Sequence, residues 1–215
     1  MERFIQKHRG IWTKKSFLIG VILGALFYAA ALFATYYANI FTVTHASNTV
    51  TDIILDNIPV VNVDFVFTEG ATIFYVVTLL IIFYEPRRIP FVLKSIALFT
   101  FIRSLFMVLT HIAPPEIHSY LDTTDFFYKF SSGDDLFFSA HTGLPFMLAF
   151  VFWDEKYLRY LFFAFATIGG VSVLLGHLHY SIDVFSALFI AFGVFHMAKN
   201  LFRGDYALLK SAVNP

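Results

Sequence analysis

Two histidine-containing segments in the C-terminal half of the chain carry side chains that act as nucleophiles, acids or bases. They are residues 139–142, with the sequence SAHT, and residues 179–183, with the sequence HYSID. On a helix, positions i and i+4 share a face, so Asp183 can accept a hydrogen bond from one ring nitrogen of His179. This bond would fix the tautomer and leave the other nitrogen to attack an electrophile or to take a proton. A structural His–Asp capping pair explains the same spacing, and the two segments alone leave both interpretations open.

The composition predicts that these histidines belong to a membrane protein. Of the 215 residues, 58% are hydrophobic and 29 are phenylalanine, whereas 14% are charged. In a soluble domain about a quarter of the residues are charged, and a core of this size cannot hide so much apolar surface. A formal net charge of zero argues against a nucleic-acid partner. Because the chain has no cysteine, disulfides and thiolate metal sites are excluded.

The apolar runs predict an all-α, polytopic fold with a bundle of six transmembrane helices, each near the ~20 residues that a bilayer requires. The first run is too long for the core of a signal peptide, so we expect it to be retained. Within this run, Gly20 and Gly24 have the GxxxG spacing that favours close packing of helices. The predicted spans are Ser16–Tyr37, Phe65–Phe83, Pro90–Thr110, Leu136–Trp153, Tyr157–Leu175 and Tyr180–Met197.

The distribution of lysine and arginine predicts the orientation of these spans. Basic residues precede the first span, lie between the second and third and around the junction of the fourth and fifth, and follow the sixth. The alternate loops are acidic and hold one lysine, Lys129. Both termini are therefore predicted to be cytoplasmic, with residues 1–15 and 203–215 flanking a membrane catalytic domain at residues 16–202.

This topology brings His141, at the start of the fourth span, and His179, between the fifth and sixth, to the same external, periplasmic or lumenal face. Histidines and acids at a membrane boundary are energetically costly, so their convergence indicates a functional site. A zinc ion held by these two histidines and His177 is an alternative. However, no predicted helix carries a His-x-x-x-His or Glu-x-x-His pair. We therefore expect neither a metal nor another cofactor.

Residues 135–142 (DLFFSAHT) and 177–183 (HLHYSID) resemble two motifs of the type-2 phosphatidic acid phosphatase superfamily. In its sphingomyelin synthase-like branch the first motif is Asp-x-x-x-Ser-small-His-Thr, and the second is His-x-His-Tyr-Thr-x-Asp. Here Ala140 stands where the branch often has glycine, and Ser181 stands where it has threonine. The order of the motifs, their spacing and the six-helix frame agree over roughly residues 90–202.

The resemblance implies a membrane enzyme of lipid metabolism that transfers a phospho-headgroup through a phosphohistidine. His179, oriented by Asp183, fits the nucleophile, and His141 fits the general acid that protonates the leaving lipid alkoxide. The plain phosphatase branch carries a Lys-x6-Arg-Pro motif. Here Lys94 and Arg103 are nine residues apart and no proline follows the arginine, which favours the synthase-like branch.

Four further residues are predicted to bind the substrate. Arg103, in the outer half of the third span, would supply positive charge for the phosphoryl oxygens, unless it pairs with an acid such as Glu69. Asp135 would orient a basic headgroup or the neighbouring histidine, or would cap the fourth helix. Ser139 would bond the phosphate or serve as an ordinary helix-start hydroxyl, and His177 opens the second motif.

Three functions are compatible with the sequence. The first is a phosphotransferase that moves a phosphocholine, phosphoethanolamine or related headgroup from a glycerophospholipid donor to a lipid alcohol such as ceramide or diacylglycerol. The second is a lipid phosphatase, in which water replaces the acceptor. The third is a non-enzymatic membrane transporter or scaffold, in which the histidine and aspartate side chains could be changed without loss. The acceptor distinguishes the first two functions, and residue spacing does not reveal it.

Overall fold

The computed structural model describes residues 8–119 and 137–213, and within these ranges the regular structure is helical with no strand. Two short 3-10 helices span Leu55–Asn57 and Pro86–Arg88. The α-helices of eleven residues or more in the described ranges are α1 Lys15–His45, α2 Asp64–Tyr84, α3 Ile89–Leu109, α4 Ala140–Val151, α5 Lys156–Leu175, α6 Ser181–Leu201 and α7 Arg203–Val213.

Five of these helices, α1, α2, α3, α5 and α6, are long and apolar enough to cross a membrane. They support the prediction of an integral membrane protein. The fourth predicted span, Leu136–Trp153, is instead represented by the 12-residue helix α4. Such a helix is about 18 Å long, which is shorter than the roughly 30 Å hydrocarbon core of a bilayer. The count of six complete spans and the orientation of the termini therefore stay predictions.

The ends of α4 explain why it is short. Its first turn begins after Ser139, and its last turn closes where the Phe152 N–H donates to the Leu148 carbonyl at 3.0 Å. The chain then makes a turn in which the Glu155 N–H donates to the Phe152 carbonyl at 3.0 Å, and this turn leads directly into α5. The apolar run in the sequence thus contains both a helix and the turn that follows it.

Helices α1 and α3 pack closely because glycine leaves room between them. A Cβ atom added at Gly20 would lie 3.3 Å from the Pro90 Cβ, and one added at Gly24 would lie 3.3 Å from a Leu93 methyl group. Both positions are buried. The packing role predicted for the GxxxG spacing is therefore confirmed.

Helix α4 lies at the centre of the bundle, between α5 and α6. Eight of its twelve residues are buried. A Cβ added at Gly143 would lie 2.9 Å from the Phe99 ring of α3, so this face of α4 also has little space. The short helix that carries His141 is therefore fixed from several sides.

The C-terminal segment, predicted as a tail at residues 203–215, contains α7. Lys94 of α3 donates to Asp205 of α7 at 2.6 Å, and Lys210 of α7 pairs with Asp154 in the turn between α4 and α5. Because Lys94 lies two and a half turns before Arg103 on α3, these ion pairs close the bundle at the end away from Arg103.

Candidate active site

An apolar cavity of about 550 Å³ lies between the helices and has one arginine and two histidine side chains in its wall. They are Arg103 of α3, His141 of α4 and His179 of the turn before α6. Most of the remaining wall is aliphatic or aromatic and comes from α1, α2, α3 and α5. Polar groups at one place in an otherwise apolar cavity are typical of a small-molecule or lipid site.

His179 and Asp183 are in contact, but the contact does not run along one helix face, as their i, i+4 spacing would allow. His179 lies two residues before the start of α6, and Asp183 is in the first turn of that helix. The His179 Nδ1 and an Asp183 carboxylate oxygen are 3.4 Å apart, without the angle of a hydrogen bond. Both side chains are buried. Hydrogen bonds of catalytic groups are often long in the absence of substrate, so the contact is compatible with an orienting role for Asp183.

The proximity of His179 and Asp183 results from a capping arrangement. The same Asp183 oxygen accepts the N–H of Tyr180, the N-cap residue of α6, at 3.0 Å. This bond satisfies one of the backbone donors that a helix start leaves without an intrahelical partner. The carboxylate is thereby fixed against the turn that carries His179.

His141, the second residue of α4, is held between two neighbouring helices. Its ring stacks on the ring of Phe67 of α2, with 4.0 Å between the centroids and 26° between the planes. On the other side, a Cβ added at Gly169 of α5 would lie 2.3 Å from the His141 carbonyl oxygen. Glycine at this position is what allows α5 to approach the backbone of α4.

Arg103 connects α3 to the segment before α4. It is 7% exposed. Its Nε donates to the Phe138 carbonyl at 2.8 Å, and its Nη1 lies 3.3 Å from the sulfur of Met107. The guanidinium therefore ties α3 to the chain near Ser139, and the Arg103 side chain also forms part of the cavity wall.

Ser139 lies where the two histidine motifs meet. Its N–H donates to the backbone carbonyl of Asp183 at 3.2 Å, which joins the start of α4 to the start of α6. Its hydroxyl is fully buried and accepts a bond from the Thr142 hydroxyl at 3.3 Å, and it makes no side-chain cap of α4. The predicted phosphate contact of Ser139 stays a prediction.

His177 occupies a backbone position that is usually taken by glycine. The N–H of Leu178 bonds the Val173 carbonyl at 2.9 Å, and that of His177 bonds the Leu174 carbonyl at 3.0 Å. This pattern is a Schellman motif, whose C′ residue, here His177, adopts the left-handed conformation. Its φ is 52°, and the buried imidazole has an Nε2 with no hydrogen-bond partner in the described part of the chain.

Asp135 lies outside the described residues, so its proposed role stays a prediction. Within residues 8–119 and 137–213, no group of three histidine, cysteine or acidic side chains is arranged to hold a metal ion.

Two contacts at the site were missed by the sequence analysis. The Phe67 ring that stacks on His141 lies in an apolar run rich in aromatic residues, where nothing distinguishes it. Gly169 did leave a signal, because it forms a Gly-Gly pair with Gly170 in the middle of a predicted span. Paired glycines in a membrane helix indicate a close backbone approach.

Comparison with known proteins finds a match over the part of the chain that holds the candidate site. A family model described as the PAP2 superfamily C-terminal domain matches residues 133–201, which include His141, His179 and Asp183. A curated protein of Methanocaldococcus jannaschii, described as uncharacterized, is 33% identical over 63 residues, covering 29% of this chain and 26% of that protein. The chain thus matches about a quarter of the length of that relative.

No solved structure matches the chain. Members of the PAP2 superfamily are generally phosphatases or phosphotransferases. The family match therefore shows that residues 133–201 are similar to the C-terminal domain of this superfamily.

Proposed function

We propose that the protein is a membrane lipid phosphotransferase. It moves a phosphocholine, phosphoethanolamine or related headgroup from a glycerophospholipid to a lipid alcohol such as ceramide or diacylglycerol. The observation that carries this proposal is the presence of His141, His179 and Arg103 in the wall of one apolar cavity. The PAP2 match over residues 133–201 supports phosphoryl chemistry at these histidines.

In the first half-reaction, His179 attacks the phosphorus atom of the donor lipid. Its Nδ1 faces Asp183, so Nε2 is the attacking nitrogen. An N–P bond forms, and the bond from phosphorus to the glyceride oxygen breaks. His141 gives its proton to the leaving alkoxide, and diacylglycerol is released. Arg103 stabilises the negative charge on the phosphoryl oxygens.

In the second half-reaction, the acceptor alcohol enters the same cavity. His141, now neutral, takes the proton of the acceptor hydroxyl as the oxygen attacks phosphorus. The N–P bond breaks, the headgroup is carried to the acceptor, and His179 is regenerated. Since one apolar cavity serves donor and acceptor in turn, the kinetics should be of the ping-pong type.

The apolar wall favours transfer over hydrolysis. Water gains little by entering such a cavity, whereas the chains of a lipid alcohol bury apolar surface there. A lipid acceptor therefore competes well with water for the phosphorylated histidine. We place this site at the external, periplasmic or lumenal side, with both termini in the cytoplasm, because of the lysine and arginine distribution.

The proposal is tested by incubating the purified protein with phosphatidylcholine or phosphatidylethanolamine labelled in the headgroup. Ceramide, or diacylglycerol whose acyl chains differ from those of the donor, is added to half of the reactions, and the products are identified. A transferase yields labelled acceptor lipid that depends on the added alcohol. A phosphatase yields labelled water-soluble product in both halves, which would contradict the transferase proposal.

A matched pair of variants shows whether the histidine is responsible. His179→Ala should be inactive, whereas His196→Ala should retain the wild-type rate, because His196 is an exposed residue of α6. A folded His179→Ala protein with normal turnover would contradict the proposed mechanism and favour a different site. Absence of turnover in the wild type, with every donor and acceptor combination, would favour a transporter or scaffold.

A further inference from the structure

A carboxylate from the loop between α1 and α2 reaches the start of α6. One oxygen of Asp52 accepts the backbone N–H of Ser181, the first residue of α6, at 2.6 Å. The other oxygen accepts the N–H groups of Ile54 and Leu55 at 2.8 Å and 3.2 Å. Asp52 is 8% exposed. The loop and the helix that carries Asp183 are therefore joined through one buried side chain.

Asp52 and Asp183 divide the backbone donors of the turn after His179. Asp52 accepts the N–H of Ser181, and Asp183 accepts the N–H of Tyr180. Both donors belong to a helix start, where they have no intrahelical partner. Without Asp52, the Ser181 N–H would be left without this acceptor. The Asp183 carboxylate already accepts the N–H of the adjacent Tyr180, and any shift of this carboxylate towards the Ser181 N–H would take it away from His179.

The same loop also holds the side chain of Tyr180. The Tyr180 hydroxyl donates to the Ala113 carbonyl at 3.0 Å and accepts the N–H of Val50 at 3.3 Å. The ring is 2% exposed and packs on Leu55. The residue next to His179 is thus fixed at its backbone by Asp183 and at its hydroxyl by two loops.

Asp52 is suited to this role because its hydrogen bonds favour the charged form. Burial acts to raise the pKa of Asp52, but the bonds from Ser181, Ile54 and Leu55 outweigh it and lower the pKa below its ordinary value. A carboxylate at the first turn of a helix is also stabilised by the helix dipole.

We propose that Asp52 is a positioning residue that keeps the Asp183 carboxylate directed at His179 by satisfying the Ser181 N–H. It lies outside the part of the chain matched by the family model, which begins at residue 133. The inference rests on the proposed function, because the rate at which His179 reacts is what reveals the position of Asp183.

The first test measures kcat and KM with headgroup-labelled phosphatidylcholine and phosphatidylethanolamine and ceramide. Asp52→Ala should lower kcat about 10- to 100-fold, with KM for the donor within about threefold of the wild-type value, since the cavity wall is unchanged. Asp52→Asn should recover only part of kcat, because its single amide oxygen can accept either the Ser181 N–H or the N–H groups of Ile54 and Leu55, but not both sets. The matched control is Asp56→Asn, an exposed carboxylate of the same loop that bonds the Asp52 N–H. It should leave both constants unchanged.

A second test removes the donor instead of the acceptor. Ser181→Pro deletes the N–H that Asp52 accepts, together with the Ser181 hydroxyl that also bonds Asp52, and proline is well tolerated at the first position of a helix. The preceding residue, Tyr180, has φ −69° and ψ 157°, which suits a position before proline. In the Ser181→Pro background, Asp52→Ala should cost less than about threefold in kcat.

The outcomes separate the inference from the proposed function. If Asp52→Ala lowers only the amount of folded protein, with the kcat of the folded fraction unchanged, the positioning role is wrong. An equal loss in kcat with and without Ser181→Pro would also overturn it, because the Ser181 N–H would then play no part. His179→Ala is measured in parallel. If that variant is fully active, the proposed function itself fails, whatever Asp52 does.

Discussion

Replacing Gly169 by alanine should slow the reaction without touching a reacting group. The added Cβ would lie 2.3 Å from the His141 carbonyl oxygen and 2.9 Å from its carbonyl carbon. Ordinary contacts of this kind begin at 3.4 Å, so α4 and α5 must separate by roughly 1 Å at this point. A misplacement of about 1 Å in a catalytic group can cost up to about 10²-fold in rate. We therefore expect kcat to fall about 30- to 100-fold.

The matched control is the same substitution in open space. Gly193, also inside a membrane helix, has no heavy atom within 4 Å of the Cβ that alanine would add. Gly193→Ala should leave kcat unchanged and stabilise the helix by up to about 1 kcal/mol. Gly169→Ala should be destabilised by about 1–3 kcal/mol because its site is overpacked.

Initial rates at saturating donor, normalised to the folded fraction from thermal unfolding in detergent, give both quantities. Gly170→Ala offers a graded comparison, since its Cβ would meet the Thr142 hydroxyl at 3.2 Å and requires a smaller adjustment. A folded Gly169→Ala protein with wild-type kcat would refute the reasoning, because it would mean that the position of His141 does not limit the reaction.

Three further results are expected. Arg103→Gln should lower kcat by about 10²–10³-fold through lost charge stabilisation. Arg103→Lys should recover only part of the lost kcat, because lysine lacks the planar donor set. Equal rates in both variants and the wild type would contradict a role in charge stabilisation. His177→Gly should raise the free energy of unfolding by about 1 kcal/mol, since glycine adopts the left-handed conformation without strain. The same variant should raise KM if the imidazole binds substrate. A loss of stability in thermal unfolding would contradict the strain argument. Because the chain has no native cysteine, single cysteines can be introduced at two highly exposed positions, Ile53→Cys and Tyr157→Cys, and labelled in intact cells. A membrane-impermeant reagent should label position 53 only. Labelling of position 157 only would invert the predicted topology.

The spans were predictable from the sequence because hydrophobicity is a local property. The five long helices coincide closely with predicted apolar runs, and α1 extends further, to His45. The length of α4 was not predictable, because Phe152 and Trp153 are as apolar as the helix that precedes them. What ends the helix is backbone hydrogen bonding in the turn at residues 152–155, and side-chain hydrophobicity carries no information about it.

The sequence named the residues of the candidate site but not the geometry that brings them together. The spacing of His179 and Asp183 predicts a contact along one helix face. In the structure, the contact arises because the Asp183 carboxylate, in the first turn of α6, accepts the N–H of the N-cap residue Tyr180 and so lies against the turn that carries His179. The partners from distant parts of the chain could not be predicted. Phe67, Asp52 and Gly169 reach the site through tertiary packing, and their local sequences do not indicate which histidine or helix they will meet.

The most direct test of the central claim is to trap the phosphoryl group on His179. The purified protein is mixed briefly with ³²P-labelled donor lipid without acceptor, in the presence of excess EDTA, and is then quenched at alkaline pH. We predict an acid-labile label on the wild type and on the His196→Ala control, none on His179→Ala, and turnover that chelation leaves intact. Label of equal amount on a folded His179→Ala protein would contradict the account. So would turnover by the wild type with no trapped label, or activity that EDTA abolishes and magnesium or zinc restores.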